Sequence, residues 1–206
     1  MAAYRLEVQN NSSGFTNFCM YQSVPDTNLG VQVETLAWFV ELAYPTTTVT
    51  FDWTVDYSFC WSETGPLSPG VTFTASQVWA ADPMNPVQQA VQFLRSNGAY
   101  TFERLAADPT RHAGDLYVEQ GGDVPLRAAS VGIGMSGTGT HAVQAQPNLH
   151  LVFTPHPRYW IVAGEFEHGE VLDVAELSNA LEIDYYGAQT SQRLTYTMNN
   201  IFEPVQ

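Results

Sequence analysis

The segment Gly132-Ile133-Gly134-Met135-Ser136-Gly137 has the glycine spacing of a dinucleotide fingerprint. In such a loop the glycines let the backbone approach a pyrophosphate, and the amides of a following helix bind it. Here His141-Ala142-Val143-Gln144-Ala145 comes next, which has the pattern of a return strand. No Gly-Lys-Ser/Thr follows either. The segment is therefore expected to be a hairpin with close backbone packing that binds no nucleotide, and no cofactor is expected.

The histidines are His112, His141, His150, His156 and His168, and no pair of them matches His-x-His or His-Glu-x-x-His. A zinc-type site needs three or four converging ligands, and spacing assigns none. Only tertiary folding would gather His150, His156 and His168 with Glu165 or Glu167. The expected role is that of surface or core histidines paired with carbonyls. Asp52 and Asp56 share a parity if one strand carries both, which places them about 13 Å apart. That is too far for the carboxylate pair of a glycosidase. Ser58, Ser62 and Ser136 lack the Gly-x-Ser-x-Gly context of an activated nucleophile.

Cys19 and Cys60 form no Cys-x-x-Cys and sit among aromatics. Buried free thiols are the preferred reading, with a disulfide the alternative if their strands are neighbours. Asn10 and Asn11 head overlapping glycosylation sequons, which a polar turn explains equally. No catalytic residue emerges.

The strongest interaction feature is Pro155-His156-Pro157-Arg158-Tyr159-Trp160. Arg, Tyr and Trp are the types enriched at binding hot spots. On a regular strand Tyr159 and Trp160 must point to opposite faces. One can enter the core. The other must be covered by a second layer, a partner or a ligand. Tyr185-Tyr186 poses the same question, so Arg158, Tyr159, Trp160 and Tyr186 are the candidate interaction residues. Trp53 and Trp61 could line a sugar platform, yet both alternate with polar neighbours and fit a core.

The elements that must position these residues are strands. The dominant period is two, and apolar alternation with that period marks half-buried strands. Tyr4, Leu6 and Val8 alternate with polar residues, Asn10 to Gly14 is a turn, and 15–22 resumes, which suggests a hairpin. Residues 33–44 fit a strand or one or two helical turns. The clearest strand is 46–55, with Val49, Phe51, Trp53 and Val55 on one face. Tyr57, Phe59 and Trp61 continue as a second strand or past a bulge. Val71, Phe73 and Ala75 suggest another strand, and 87–95 is read as strand rather than helix. Asn97-Gly98 is a type I′ turn signal. Further strands are expected at 115–120, 127–135, 141–146, 149–153, 159–163, 171–177, 181–186 and 192–199. The helical crossovers of a parallel α/β sheet are missing. The expected fold is all-β: an antiparallel β-sandwich of roughly ten to fourteen short strands, in a single domain over 1–206.

Composition narrows the function. The chain has no lysine; its seven basic residues are arginines, against twenty-one acidic ones, for a net charge of -14. That balance repels nucleic acid. It also removes Schiff-base and P-loop lysine chemistry. Only 14% of residues are charged while 45% are hydrophobic, enough for a substantial core. No apolar run reaches the roughly 20 residues that cross a bilayer as a helix, and no leader pattern begins the chain. The default location is cytoplasmic, with export by another route kept open.

The leading reading is a non-enzymatic structural or interaction protein that self-associates or binds a macromolecular partner. A carbohydrate or small-ligand module is the first alternative, with a glycan as its partner. A metal-dependent or hydrolytic enzyme on a β-sandwich scaffold is the second.

Overall fold

The computed structural model describes residues 3–28 and 30–205. Met1 and Ala2 of the leader reading, Leu29 of the 25–30 loop, and Gln206 lie outside the described residues. Among the described residues there are strands and turns and no helix. The strands are β1 (Ala3–Asn10), β2 (Thr16–Gln22), β3 (Asp26–Thr27), β4 (Glu34–Thr35), β5 (Phe39–Ala43), β6 (Thr48–Thr54), β7 (Tyr57–Ser62), β8 (Gln77–Ala81) and β9 (Ala90–Ser96). They continue as β10 (Ala99–Arg104), β11 (Leu116–Gln120), β12 (Ser130–Met135), β13 (Thr138–Gln144), β14 (His150–Thr154), β15 (Tyr159–Gly164), β16 (Leu181–Ile183), β17 (Ser191–Tyr196) and β18 (Phe202–Pro204). The eighteen among the described residues exceed the expected ten to fourteen because the two- and three-residue β3 and β18 fall where no strand is expected and 33–44 holds two strands, β4 and β5. Such short edge pairings leave no period in a sequence.

Four sheets result, ordered β18-β17-β1-β6, β16-β15-β2-β5, β4-β13-β12-β7-β8 and β10-β9-β11-β14-β3. The first two share one core: Leu6, Val8, Phe51, Trp53 and Leu194 meet Phe18, Met20 and Ile161 around the buried Trp38. The other two share a second, in which Phe59, Val131, Ile133 and Val143 meet Val91, Phe93, Val118 and Leu151. The terminal sandwich is thus built from residues 3–54 and 159–204, and the central sandwich mainly from 57–154. β6 follows its pattern, with Phe51 and Trp53 buried and Thr48, Thr50 and Asp52 exposed. Pairing is mostly antiparallel, with two parallel exceptions, β1 with β17 and β9 with β11.

The two predicted turns are hairpins. Asn97 and Gly98 both have positive φ (50° and 85°), as a type I′ turn requires, and join β9 to β10. Ser136 and Gly137 (52° and 79°) join β12 to β13. The glycine-rich segment is therefore strand, turn, strand.

Three expectations fail. Residues 1–22 form no hairpin: β1 pairs with β6 and β17, while β2 pairs with β5 and β15 in the opposite sheet. The turn is an arch between layers, held by the buried Asn10 amide, which donates to the carbonyls of Gly14 and Ala43 at 3.0 and 2.9 Å. Residues 71–75 and 171–177 make only the isolated bridges Thr72–Glu170 and Leu36–Val171. Their alternation is real, since Phe73 and Val171 are buried, but they cover the outer face of the third sheet over Leu36, Cys60 and Ala142. Burial by a covering segment produces the same period as a ladder.

The sandwiches join at the β12–β13 turn. Trp38 Nε1 donates to the Met135 carbonyl at 3.0 Å. Ser136 Oγ donates to the Thr54 carbonyl at 2.9 Å and accepts from the Thr54 amide at 2.8 Å. His141 Nε2 lies 3.3 Å from the Gln22 carbonyl, to which it donates as the Nε2–H tautomer.

Candidate functional site

β15 starts immediately after Pro155-His156-Pro157 and Arg158, and its register splits the aromatic pair. Tyr159 lies opposite Gln22 and Ile183, and Trp160 opposite Tyr21 and Glu182. Tyr159 is 7% exposed and packs between Trp38 and Trp53, with ring centroids at 5.9 and 5.0 Å. Burial raises its phenol pKa. It is a core residue, turned away from the outward face of β15.

Trp160 takes the outward face. Its ring stacks on Tyr21 at 6.3 Å and 16° between planes, and its Nε1 donates to Ser23 Oγ at 3.0 Å. Phe166, Leu172, Leu177 and Ala180, from the segment between β15 and β16, pack around it. The covering layer therefore comes from this same chain, and it is incomplete. A groove of about 480 Å³ stays open between Trp160, Tyr21, Val24, Val174 and Asn179. Desolvation pushes the Tyr21 phenol up to about 12, so it stays neutral near neutrality.

Neither Arg158 nor Tyr186 lines this groove. Arg158 is exposed and lies 3.9 Å from Glu182. Such a surface pair contributes little to stability. Tyr185 turns inward against Tyr4 and Trp53, and its hydroxyl donates to the Arg5 carbonyl at 2.9 Å. Tyr186 is 74% exposed and its hydroxyl donates to Asp184 at 3.1 Å. Strand parity sends Tyr159 and Trp160 to opposite faces of β15; Tyr185 and Tyr186 lie past the end of β16, where Tyr185 packs inward and Tyr186 faces solvent.

A second groove, of about 420 Å³, shares Asn179 with the first. Its hydroxyl and amide groups come from Ser12, Ser13, Thr16, Ser178, Asn179 and Asn200, with Phe15 on the rim. Sequence reasoning missed it because distant turns supply these residues. The only signal was their composition.

The catalytic alternatives meet different surroundings. Asp52 makes a two-point ion pair with Arg5, at 2.7 and 3.2 Å, on the surface. Asp56 lies past the end of β6, in the crossover, so the two carboxylates do not share a strand face. Of the histidines, His141 is buried and His112, His150, His156 and His168 are exposed. Among the described residues no three metal-ligating side chains gather. Cys19 and Cys60 are buried and free, in different apolar clusters. Burial raises both thiols, Cys60 to about 12, which leaves them poor nucleophiles near neutrality. The Ser136 hydroxyl is committed to the Thr54 backbone. Among the described residues no helix is long and apolar enough to cross a membrane. The Trp160 face offers ring stacking and neutral hydrogen bonds; no ionisable acid or base of ordinary catalytic range lines its groove.

The RhiA family matches residues 1–205 of the chain. Protein RhiA of Rhizobium leguminosarum bv. viciae is 38% identical over 189 residues, covering 90% of this chain and 78% of that protein. No solved structure matches.

Proposed function

The chain belongs to the RhiA family, and from that premise and the geometry above we propose that it is a non-enzymatic binding protein. It works by association through the outward face around Trp160, with a second copy as the first partner and another macromolecule as the next. The observation that carries this reading is the incompletely covered Trp160, half-buried on an outward face with a groove left open beside it. Arg158, two residues before Trp160, and Tyr186 supply exposed hot-spot residue types. The two sandwiches act as one unit, because Met135, Ser136 and His141 tie them together. Cytoplasmic residence remains the default setting for this role.

Light scattering on three proteins tests the reading. Wild type is expected to self-associate as concentration rises. Trp160→Ala should weaken that assembly while leaving a folded domain. Tyr159→Ala removes a ring from the core and should lower stability by about 3–5 kcal/mol. A wild type that stays monomeric at high concentration near neutral pH sinks the self-associating form. Equal assembly by wild type and Trp160→Ala would remove this face from it.

A further inference from the structure

We infer that the two grooves meeting at Asn179 form one extended site for a neutral oligosaccharide; this rests on the non-catalytic binding role above and names a ligand for it. The first support is charge. The chain carries twenty-one acidic and seven basic residues, yet none of them lines either groove. Three other cavities on the surface each contain at least one: Asp56 and Asp82 in one, Arg193 in another, and Glu165, Glu167 and Glu170 in a third. An ionic ligand would find no charged partner beside Asn179.

The second support is free hydrogen-bonding capacity. Ser12 is committed, donating to Asn10 Oδ1 at 2.7 Å. Asn179 Nδ2 donates to the Asn200 carbonyl at 3.3 Å and leaves its own carbonyl oxygen open. Among the described residues the side chains of Ser13, Ser178 and Asn200 have no protein partner. A purely apolar ligand would dehydrate these groups without pairing them, which is unfavourable.

The third support is aromatic surface at both ends. Phe15 is 69% exposed on the rim of the polar groove and leans on Tyr44, 57% exposed, with centroids 5.9 Å apart. Trp160 lies in the other groove. Nothing in the fold requires Phe15 and Tyr44 to face water together. A sugar ring presents a C–H face to an aromatic ring and hydroxyls to amides around its edge. Few convergent polar groups on an apolar floor are what fix orientation in a binding site. A chain of neutral sugars would span both grooves past Asn179, which lines each of them.

Isothermal titration of the full chain tests the site. The probes are neutral tetra- to hexasaccharides of glucan, galactan and mannan, their disaccharides, and oligogalacturonate as the charged control. One neutral class is expected to bind with a Kd between about 10 μM and 1 mM. Phe15→Ala and Asn179→Ala should each weaken it about tenfold or more, that is by about 1.4 kcal/mol. Phe15 is exposed, so circular dichroism should stay unchanged in its variant. Asn179 is exposed but has a φ of 58°, so Asn179→Gly, which relieves the strain and also removes the amide, should weaken binding as Asn179→Ala does. Trp160→Ala should weaken the longer oligosaccharides and leave the disaccharide alone. The inference is overturned if no neutral oligosaccharide binds at about 10 mM. It is equally overturned if both rim variants bind like wild type, or if oligogalacturonate binds better than every neutral probe. Neutral sugar binding by a wild type that stays monomeric would support the inference while removing self-association. Trp160-dependent assembly without sugar binding would do the reverse.

Discussion

Replacing Gly132 by alanine is expected to abolish folding or to lower stability by more than about 3 kcal/mol, the upper range for overpacking. Gly132 sits in the middle of β12, between β7 and β13. An added Cβ would fall well inside contact distance of the His141 carbonyl, with Ala142 Cα at 2.9 Å. Those are backbone atoms of a paired strand, and they cannot rotate away. Gly137, in the same motif, has open space around it and a φ of 79°. Gly137→Ala should therefore cost only about 1 kcal/mol, through backbone strain. Gly14 has neither crowding nor positive φ, so Gly14→Ala should lie within about 0.5 kcal/mol of wild type. Urea midpoints of the three variants check the order. A Gly132→Ala protein as stable as Gly14→Ala would refute the close-packing account. The fingerprint-like glycines then have a strand explanation each: two close approaches, at Gly132 and Gly134, and one left-handed turn.

The protein is expected to lose about 3 kcal/mol of stability through one side chain as pH falls from about 6.5 to about 4. His141 is 2% exposed at the junction of the sandwiches. Burial lowers its pKa to about 4 from an ordinary value of 6.5, outweighing hydrogen bonds to the backbone of Gln22 and Ser23. Unfolding releases the ring to its ordinary value, so in this window the unfolded chain binds the proton more readily. The full contribution is present above the unfolded pKa. It declines as pH falls and levels off below the folded one. Glu34, on the strand beside β13, opposes this, since burial raises its pKa. The non-titrating His141→Gln variant separates the two. Denaturant unfolding at several pH values should show a steep acid slope in wild type and a reduced one in the variant. Identical slopes would exclude His141 as the source.

Strand parity made the division of Tyr159 from Trp160 legible, because one residue of shift reverses a side chain. It could not say which residue entered the core, since Trp38 and Trp53 come from distant segments, and the polar stretch after β15 gave no sign that its Phe166 and Leu177 fold back over the other face. β6 and the Asn97-Gly98 hairpin were legible because alternation and turn chemistry are local. The arch after β1 was not. A polar turn serves a hairpin and a crossover alike, and only the Asn10 bond to Ala43, across the fold, distinguishes them. The polar groove escaped for a related reason. Turn serines and asparagines look the same whether solvent or a shared concavity lies in front of them.

The path of the chain through the sandwiches has a consequence in time. β1 is synthesised well before its parallel partner β17. Nearly all of the central sandwich emerges between them. Contacts so distant in sequence slow folding, because the loop must close before they reward it. On the ribosome, β1 can pair early with β6 but must wait with its other edge unfilled. A waiting edge invites pairing with other chains. Arg5 is already paired with Asp52 of β6, but Glu7 waits for a partner, and in the finished fold it accepts from Arg193 on the arriving strand at 2.6 Å. The same Glu7 carboxylate that completes the late pairing discourages a foreign strand without a matching cation from taking its place.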